Sequence, residues 1–378
     1  MKGLALCLLA ALVPAPSRAE VLAARVTRGV RFHVEAATSG VVTIELAPAQ
    51  KGARPFRATY PLVAGANDVV VPFAPKGAAS WKADVVTRDY GAAQRVGTLG
   101  RGEEQFTNPE GITLGSGGRV YVADTGNDRV EVLSDRHTFL FEFGGFAADS
   151  SRSQQGEAQR FDEPVDLVQS VNRDVYVVDR NNARVVRIDR DGRFLGSFGA
   201  DSRLKLPRGI AANRRGEILV ADTGNDRVVI FDRDGREQRT LGTFGYGPRQ
   251  FKTPYDVATD DADNIIVADT FNDRIQIFDN FGKLVSILKG EFGKPLAVRA
   301  DSDGCVWVVD GRGRQVLRYG RDNRVLERFA APRLPLEEPS DVAVSPEGHL
   351  YIADRAASCL WRLECHTETR HAAGLLRP

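Results

Sequence analysis

The sequence predicts an all-β protein built mainly from a repeated hairpin. Residues 120–132 contain a short alternating apolar run, a turn of Asp, Gly and Asn, and a second alternating run, which is the pattern of a β-hairpin. The same pattern returns at 219–230 and at 266–277. A period of two gives each strand one apolar face, and a lone hairpin cannot bury that face. We therefore expect the copies to stack.

Further copies are found by the aspartate that closes the first strand of the hairpin. Six such aspartates follow one another at intervals of 41 to 55 residues. They are Asp124, Asp179, Asp222, Asp269, Asp310 and Asp354. A period of this length with about four strand-like segments is typical of propeller blades, so the sequence predicts a six-bladed β-propeller.

A proline begins each repeat unit. The six prolines are Pro109, Pro164, Pro207, Pro254, Pro295 and Pro339. Proline lacks an N–H group and has a fixed φ, which suits the first residue of a strand. A turn, the strand that ends in the marked aspartate, a return strand and an outer Phe/Gly-rich strand follow in that order, which predicts four strands per blade.

Four of the copies carry the motif Val-x-Asp-x-x-Asn-x-Arg-(Val/Ile)-x-(Val/Ile), and through it the chain resembles the NHL-repeat family of β-propellers. The matching residues are Asp124, Asn127, Arg129, Asp179, Asn182, Arg184, Asp222, Asn225, Arg227, Asp269, Asn272 and Arg274. Copies five and six depart, with Gly313 and Gln315, then Ala357 and Cys359, in the Asn and Arg positions. We assign these motif residues a structural role, because Asp and Asn bind nearby backbone in turns and Arg ties neighbouring groups together.

Residues 1–19 have the pattern of a secretory signal peptide. Lys2 precedes an apolar run, and a small-x-small site ends at Ala19. The run is too short to span a bilayer. The sequence thus predicts an exported protein, periplasmic, cell-surface or extracellular, without a membrane span.

Residues 20–90 lack the repeat and predict a small antiparallel β-sandwich. Five short alternating runs are separated by turn residues, at 30–34, 41–46, 56–62, 69–73 and 81–86. The pattern resembles bacterial Ig-like domains, although the chain has no Cys-Trp-Cys signature.

The propeller is predicted to span 95–366 and to close with a strand from its own beginning. Residues 96–109 match 241–254 almost register for register, and the latter are an outer strand that leads into the next unit. Residues 95–100 are therefore expected to complete the sixth blade, which removes an open sheet edge. The C-terminal tail, 367–378, is the competing candidate for that place.

After removal of the signal peptide three cysteines remain. Cys359 and Cys365 lie too far apart on one extended run to bridge each other. Two interpretations stay open: a disulfide from Cys305 to either of them, or three buried thiols that act as small apolar side chains.

The residue two positions after each proline alternates between small and acidic. Gly111, Gly209 and Ala297 alternate with Asp166, Asp256 and Asp341. The first strand of a blade lines the propeller axis, so the three aspartates are expected to converge near one mouth of the channel. Such a set could hold Ca²⁺ or another divalent cation, or a cationic ligand group. The alternative is that each Asp caps its own turn.

Glu110, Arg208 and Tyr255 stand one position earlier and predict a mixed polar and aromatic ligand-binding surface at the same mouth, unless they are ordinary loop residues. The net charge of +1 and the export signal argue against nucleic-acid binding. The predicted function is non-catalytic binding of a protein, peptide or polysaccharide at the cell envelope. The alternative is a metal-dependent lyase or lactonase-type hydrolase at the axial mouth. The five histidines do not recur in register, so no catalytic residue is assigned.

Overall fold

The computed structural model describes residues 20–26, 29–36, 40–48, 56–62, 65–71, 78–145 and 160–375. These residues are almost entirely β-strand and form two compact units, an N-terminal unit and a β-propeller that contains most of residues 92–364. None of the helices among them is long and apolar enough to cross a membrane. The predicted signal peptide, 1–19, lies outside the described residues and stays a prediction.

The N-terminal unit consists of two antiparallel sheets. Its strands within residues 20–90 are β1 (Glu20–Val26), β2 (Gly29–Ala36), β3 (Gly40–Pro48), β4 (Phe56–Leu62), β5 (Gly65–Val71) and β6 (Ala78–Tyr90). One sheet has the order β1-β2-β5, and the other contains β6-β3-β4. Phe32 of the first sheet meets Trp81 of the second edge to face, with ring centroids 5.5 Å apart, so the two sheets share an apolar layer. The predicted runs 30–34, 41–46, 56–62 and 81–86 lie on strands, as does the described part of 69–73, which is 69–71. The Ig-like identification stays a prediction.

The C-terminal residues are a strand of the N-terminal unit. The last strand of the chain, β35 (Cys365–Leu375), pairs antiparallel with β6 from Cys365 opposite Tyr90 to Leu375 opposite Ser80. The sequence analysis named the tail, 367–378, as the competing candidate for the closing place in the sixth blade. In the structure the described part of this tail pairs with β6 instead.

The propeller contains six four-stranded antiparallel sheets in the described part of the chain, named sheets 1 to 6 here. Sheet 1 contains β10 (Pro109–Leu114), β11 (Val120–Asp124), β12 (Arg129–Leu133) and β13 (Phe139–Gly144). Sheet 2 contains β14 (Pro164–Gln169), β15 (Val175–Asp179), β16 (Arg184–Ile188) and β17 (Phe194–Phe198). Sheet 3 contains β18 (Ile210–Ala212), β19 (Ile218–Asp222), β20 (Arg227–Phe231) and β21 (Glu237–Leu241). Sheets 4 and 5 contain β24 (Asp256–Thr259), β25 (Ile265–Asp269), β26 (Arg274–Phe278) and β27 (Leu284–Leu288); β28 (Pro295–Ala300), β29 (Val306–Asp310), β30 (Gln315–Tyr319) and β31 (Val325–Phe329). Sheet 6 contains β32 (Pro339–Val344), β33 (Leu350–Asp354), β34 (Cys359–Leu363) and β7 (Gln94–Val96).

The first strands of the six sheets form a closed ring. Each contacts the first strand of the next sheet, and β32 of sheet 6 contacts β10 of sheet 1. The predicted closing strand, 95–100, is confirmed only in its first residues, because β7 pairs antiparallel with β34, with Val96 opposite Leu360, whereas Thr98 and Leu99 pair with residues of their own loop. The entry loops of sheets 1 and 4 each hold a parallel pair of two-residue strands, as the register match of 96–109 with 241–254 implies. These pairs are β8 (Thr98–Leu99) with β9 (Gln105–Phe106), and β22 (Thr243–Phe244) with β23 (Gln250–Phe251).

The marked aspartate of every sheet is buried and accepts a hydrogen bond from the loop that enters the same sheet. In all six sheets the donor is the backbone N–H two residues before the proline. In sheet 1 the carboxylate of Asp124 also accepts bonds from Asn127 and Arg129, at 2.7 and 2.8 Å. A buried carboxylate without such donors would be costly, so the Asn and Arg of the motif complete a structural site.

Sheets 5 and 6 keep this arrangement with other donors. Gln315 donates to Asp310 at 2.9 Å, and the indole of Trp361 donates to Asp354 at 3.2 Å. The departures from the motif therefore replace the donor without removing the buried carboxylate. Three short 3₁₀ turns follow the aspartates of sheets 1, 3 and 4, at Thr125–Asn127, Thr223–Asn225 and Thr270–Asn272.

The three cysteines of the described chain are buried thiols. Cys305 and Cys359 are 2% and 0% exposed, and Cys365 is 7% exposed. Burial, partly offset by the nearby guanidinium of Arg95, raises the pKa of Cys359 to about 11. The structure thus has the second of the two arrangements left open by the sequence, in which the cysteines act as small apolar side chains.

We expect ring closure to depend on the apolar contact of β7. Val96 packs in one cluster with Phe106, Ile112 and Leu360, so Val96→Asp places a charge where no partner is available and should cost about 3 kcal/mol of stability. Thermal unfolding followed by circular dichroism measures the loss. Val171→Asp is the matched control, because Val171 is 66% exposed. Equal melting temperatures for the two variants would contradict closure through β7.

Candidate functional site

One end of the propeller axis holds a cavity of about 210 Å³. The first strands of the sheets begin at this end, and the turns between second and third strands lie there as well, because consecutive strands run antiparallel. Its wall therefore consists of the residues around each proline and of the turns that follow the marked aspartates. The cavity brings together both sets of site residues predicted from the sequence, which are Glu110, Arg208, Tyr255, Asp166, Asp256 and Asp341.

The three axial aspartates converge as predicted, and the guanidinium of Arg299 lies between them. Arg299 Nη2 is 3.1 Å from Asp166 Oδ1 and 2.7 Å from Asp341 Oδ2. Its Nη1 makes the third ion pair, with Asp256. All three aspartates are buried, with side chains at most 9% exposed. We name this set, Arg299 with the three aspartates, the axial cluster.

Each axial aspartate also joins its own sheet to the next one. One carboxylate oxygen accepts the N–H of the following residue, and the other accepts an N–H from the neighbouring sheet. These second donors are Ile210 for Asp166, Val298 for Asp256 and Ile112 for Asp341, at 2.8 to 2.9 Å. The sheets are thereby linked in pairs: 2 to 3, 4 to 5 and 6 to 1.

The alternation of small and acidic residues follows from the space at the axis. A Cβ atom added to Gly209 would lie 2.2 Å from Asp256 Oδ1, and one added to Gly111 would lie 2.7 Å from the Cα of Asp166. The strand before each of these two aspartates therefore needs a residue without a side chain.

Burial, opposed by the charge of Arg299, raises the pKa of all three axial aspartates. The pKa of Asp341 rises to about 7. Burial works against the charged guanidinium, but the surrounding carboxylates raise the pKa of Arg299, which stays charged. One cation thus faces three carboxylates, and part of the imbalance is relieved by the proton that Asp341 binds as the pH falls through about 7.

The axial cluster corrects the predicted metal site. The structure places the guanidinium of Arg299 where the sequence analysis expected a divalent cation, and every carboxylate oxygen already accepts a backbone hydrogen bond. Among the described residues no group of three or more His, Cys, Asp or Glu side chains is arranged to hold a metal ion. The alternative, in which each Asp caps its own turn, holds for one of its two carboxylate oxygens. The other oxygen accepts a hydrogen bond from the next sheet.

Glu110, Arg208 and Tyr255 lie together at the mouth of the cavity. Arg208 Nη1 donates to Glu110 Oε2 at 3.0 Å, and the Arg208 guanidinium lies over the Tyr255 ring, 4.5 Å from its centroid. Arg355 approaches the other oxygen of Glu110 at 3.3 Å and pairs with Glu338 at 2.9 Å. These contacts join sheets 4, 3, 1 and 6 around the mouth and hold its side chains in place.

The sequence analysis assigned no site role to Arg299, Lys294 or Phe271. Arg299 stands four residues after its proline, where the other repeats have Thr113, Val168, Ala211, Ala258 and Ala343. Phe271 occupies the position that is glycine in the first and third copies. A register-by-register comparison of the repeats would have found both as departures. Lys294 directly precedes Pro295 and lines the cavity, which only the structure shows.

Comparison with known protein families finds NHL repeats in this chain. The sequence model of the NHL repeat matches residues 106–133, 204–231 and 336–363, which lie in sheets 1, 3 and 6. Two relatives match over 123 residues, or 32% of this chain: Protein brain tumor of Drosophila melanogaster, 28% identical, and the B-box type zinc finger protein ncl-1 of Caenorhabditis elegans, 26% identical. The matched region spans 11% and 14% of the lengths of these relatives.

Several solved structures have a similar fold. A streptogramin B lyase aligns with a TM-score of 0.54 and 15% identity over 73% of this chain and 98% of its own. A catalytically inactive virginiamycin B lyase from Staphylococcus aureus, solved with quinupristin, aligns at 0.53 and 16% over 74% and 88%. A protein of unknown function from Bacteroides thetaiotaomicron aligns at 0.56 and 13% over 93% and 98%. At these identities the likeness shows the fold, an all-β propeller.

Removal of Arg299 should destabilise the propeller more at high pH than at low pH. Arg299→Met leaves three buried carboxylates without their cation, which should cost about 3–5 kcal/mol at pH 8. Carboxyl groups whose pKa is raised in the folded state stabilise it below about pH 4 and lose that contribution as the pH rises through about 7. At pH 5.5 the cluster can take up protons, so the loss should be smaller.

Melting temperatures at pH 5.5 and pH 8 test this expectation. Arg312→Met is the control, because the side chain of Arg312 is 67% exposed and has one ion pair, with Asp273, at 3.5 Å. The same loss at both pH values for Arg299→Met would show that Arg299 stabilises the axis by packing and not by charge.

Proposed function

We propose that this protein is an exported binding module that holds its partner at the axial cavity. The partner class is a protein, peptide or polysaccharide in the periplasm, at the cell surface or outside the cell. The propeller would act as a six-bladed, rigid NHL-type platform, with an Ig-like domain in the N-terminal unit. Export is supported by the signal-like pattern of residues 1–19.

The observation that carries the proposal is a preformed, polar and aromatic cavity mouth. Glu110 and Tyr255 hold the Arg208 side chain from two sides, and Arg355 is held between Glu110 and Glu338. Side chains that are ordered before binding lose little conformational entropy on binding. Convergent polar groups and aromatic rings around a concave site are typical of ligand sites.

A lyase or lactonase-type hydrolase is less well supported by the same cavity. Among the described residues that line it there is no histidine or cysteine. Ser340 donates its hydroxyl hydrogen bond to backbone carbonyl oxygens, 3.0 Å from that of Pro109 and 3.2 Å from that of Ala353, so its proton is not directed at a side-chain base. The axial carboxylates, which the hydrolase alternative needs as metal ligands, surround Arg299 instead. The similar fold of the solved lyases is therefore not evidence that this chain has lyase activity.

A variant that fills the cavity tests the proposal. Leu296 lines the cavity and is partly exposed, so Leu296→Trp should block entry without opening the core. Peptide and glycan arrays are probed with the labelled protein, and the affinity of each hit is then measured in solution. We expect Leu296→Trp to weaken binding at least about tenfold, a change of about 1.4 kcal/mol.

The matched control is Leu195→Trp, because Leu195 is 45% exposed on the outer strand β17. It should bind as the unchanged protein does. Hits that bind both variants equally would move the binding site away from the cavity, and the proposal would fail.

A further inference from the structure

The mouth of the cavity continues outward as a row of aromatic side chains. Tyr255 at the cavity packs against Phe271, with ring centroids 6.1 Å apart. The backbone N–H of Phe271 donates to the carbonyl of Lys252, whose ammonium lies over the ring of Tyr246, and Tyr246 contacts Phe244 at 6.0 Å. We name Tyr255, Phe271, Tyr246 and Phe244 the aromatic track. It leads from the axis along the entry loop of sheet 4.

The fold does not require these aromatic rings. Phe271 stands where the first and third repeats have Gly126 and Gly224, each so close to the preceding loop that an added Cβ would lie 2.7 Å from a backbone oxygen. In sheet 4 the backbone bond to that loop is kept at 3.2 Å, and a half-exposed ring is added. Phe244, Tyr246 and Phe271 are three of the four exposed aromatic side chains among the described residues. Exposed apolar groups gathered in one place indicate an interaction surface.

Three cations accompany the track. Arg208 lies over Tyr255, Lys294 over Phe271 and Lys252 over Tyr246, with 4.5, 5.9 and 5.2 Å between charge and ring centroid. Arg208 is paired with Glu110, whereas Lys252 and Lys294 have no carboxylate partner in the ranges that the structure describes. Positive charge beside apolar surface therefore distinguishes this side of the mouth, and an acidic, partly apolar partner complements it.

We propose that the cavity and the aromatic track bind the C-terminal segment of an acidic peptide. Its terminal carboxylate pairs with Lys294 on the wall of the cavity, and the preceding residues lie along the track. This inference rests on the proposed function and specifies its partner. The axial cluster lines the cavity, and about 210 Å³ is less than the roughly 300 Å³ at which pockets for drug-sized ligands begin. A chain end fits so small a cavity, while a continuous chain does not.

The covered ring faces favour a peptide over a sugar or a nucleobase. Flat ligands bind aromatic side chains by stacking on a ring face. Here a cation of the protein covers one face of each of three rings, so those faces are taken. Aliphatic side chains can pack on the remaining edges while carboxylates approach the cations, which matches a peptide with apolar and acidic residues.

The test uses hexapeptide libraries with acetylated N-termini, synthesised once with a free C-terminal carboxylate and once with a carboxamide. The protein without residues 1–19 is probed with both sets, and the best sequences are measured by fluorescence anisotropy. We expect binding to the free acids, with Asp or Glu upstream of the last residue and about tenfold weaker binding of the matching amides. Lys294→Met should remove the preference for acid over amide, and Phe271→Gly should weaken both forms.

Two control variants lie at the other end of the same sheet. Lys283→Met and Phe281→Ala change exposed residues of the turn between β26 and β27, away from the cavity. Both should bind as the unchanged protein does. Phe271→Gly introduces the residue that two other repeats have at this position, so its melting temperature should stay within a few degrees of the original.

Other outcomes overturn the inference in distinguishable ways. The C-terminal peptide inference would be overturned by equal affinity for acids and amides, or by unchanged binding in Lys294→Met and Phe271→Gly. If Leu296→Trp still lost binding in that case, the proposed function would be upheld. Glycan binding that Leu296→Trp abolishes, without peptide binding, would overturn the peptide partner in the same way. Binding that none of these substitutions affects would overturn both proposals.

Discussion

The propeller depends on a charge arrangement at its axis that three of its sheets provide and a fourth completes. Asp166, Asp256 and Asp341 each bond a backbone N–H of the following sheet, and together they surround the guanidinium of Arg299. The carboxylates occupy the space that a side chain at Gly111 or Gly209 would need. Because acidic and small residues must then alternate around the ring, this arrangement requires an even number of first strands. The axial cluster also lines the cavity.

A second set of buried carboxylates maintains each sheet separately. The marked aspartate fixes the loop that enters its own sheet in all six copies, although the donors around it change from Asn and Arg to Gln315 or Trp361. The structural role of the repeat therefore depends on the aspartate and on the backbone N–H that it binds. Residues next to it, such as Phe271 and Arg355, are not needed for that bond, so they can vary between repeats and give the mouth its own chemistry.

The sequence predicts most of the propeller because its repeats are read against one another. The spacing of the aspartates, the closing strand and the meeting of Asp166, Asp256 and Asp341 all follow from register. The sequence does not predict that β35 pairs with β6, because the paired residues are nearly three hundred positions apart in the chain. The acidic pattern also does not reveal which cation the three carboxylates face, because they attract a metal ion as well as a guanidinium. The answer lies in Arg299, which stands at a position where the other repeats have Thr, Val or Ala.

The axial cluster and the lysines at the mouth of the cavity have separate roles because their contacts differ. In the axial cluster every carboxylate oxygen accepts a backbone bond, so a ligand could bind there only by displacing part of the fold. At the mouth, Lys252 and Lys294 lie beside half-exposed rings and can pair with a ligand without breaking an ion pair of the described chain. The net charge of the protein is only +1, so its overall field gives no preference for anions. The proposed selectivity for an acidic partner therefore rests on local contacts, within the few side chains around Tyr255 and Phe271.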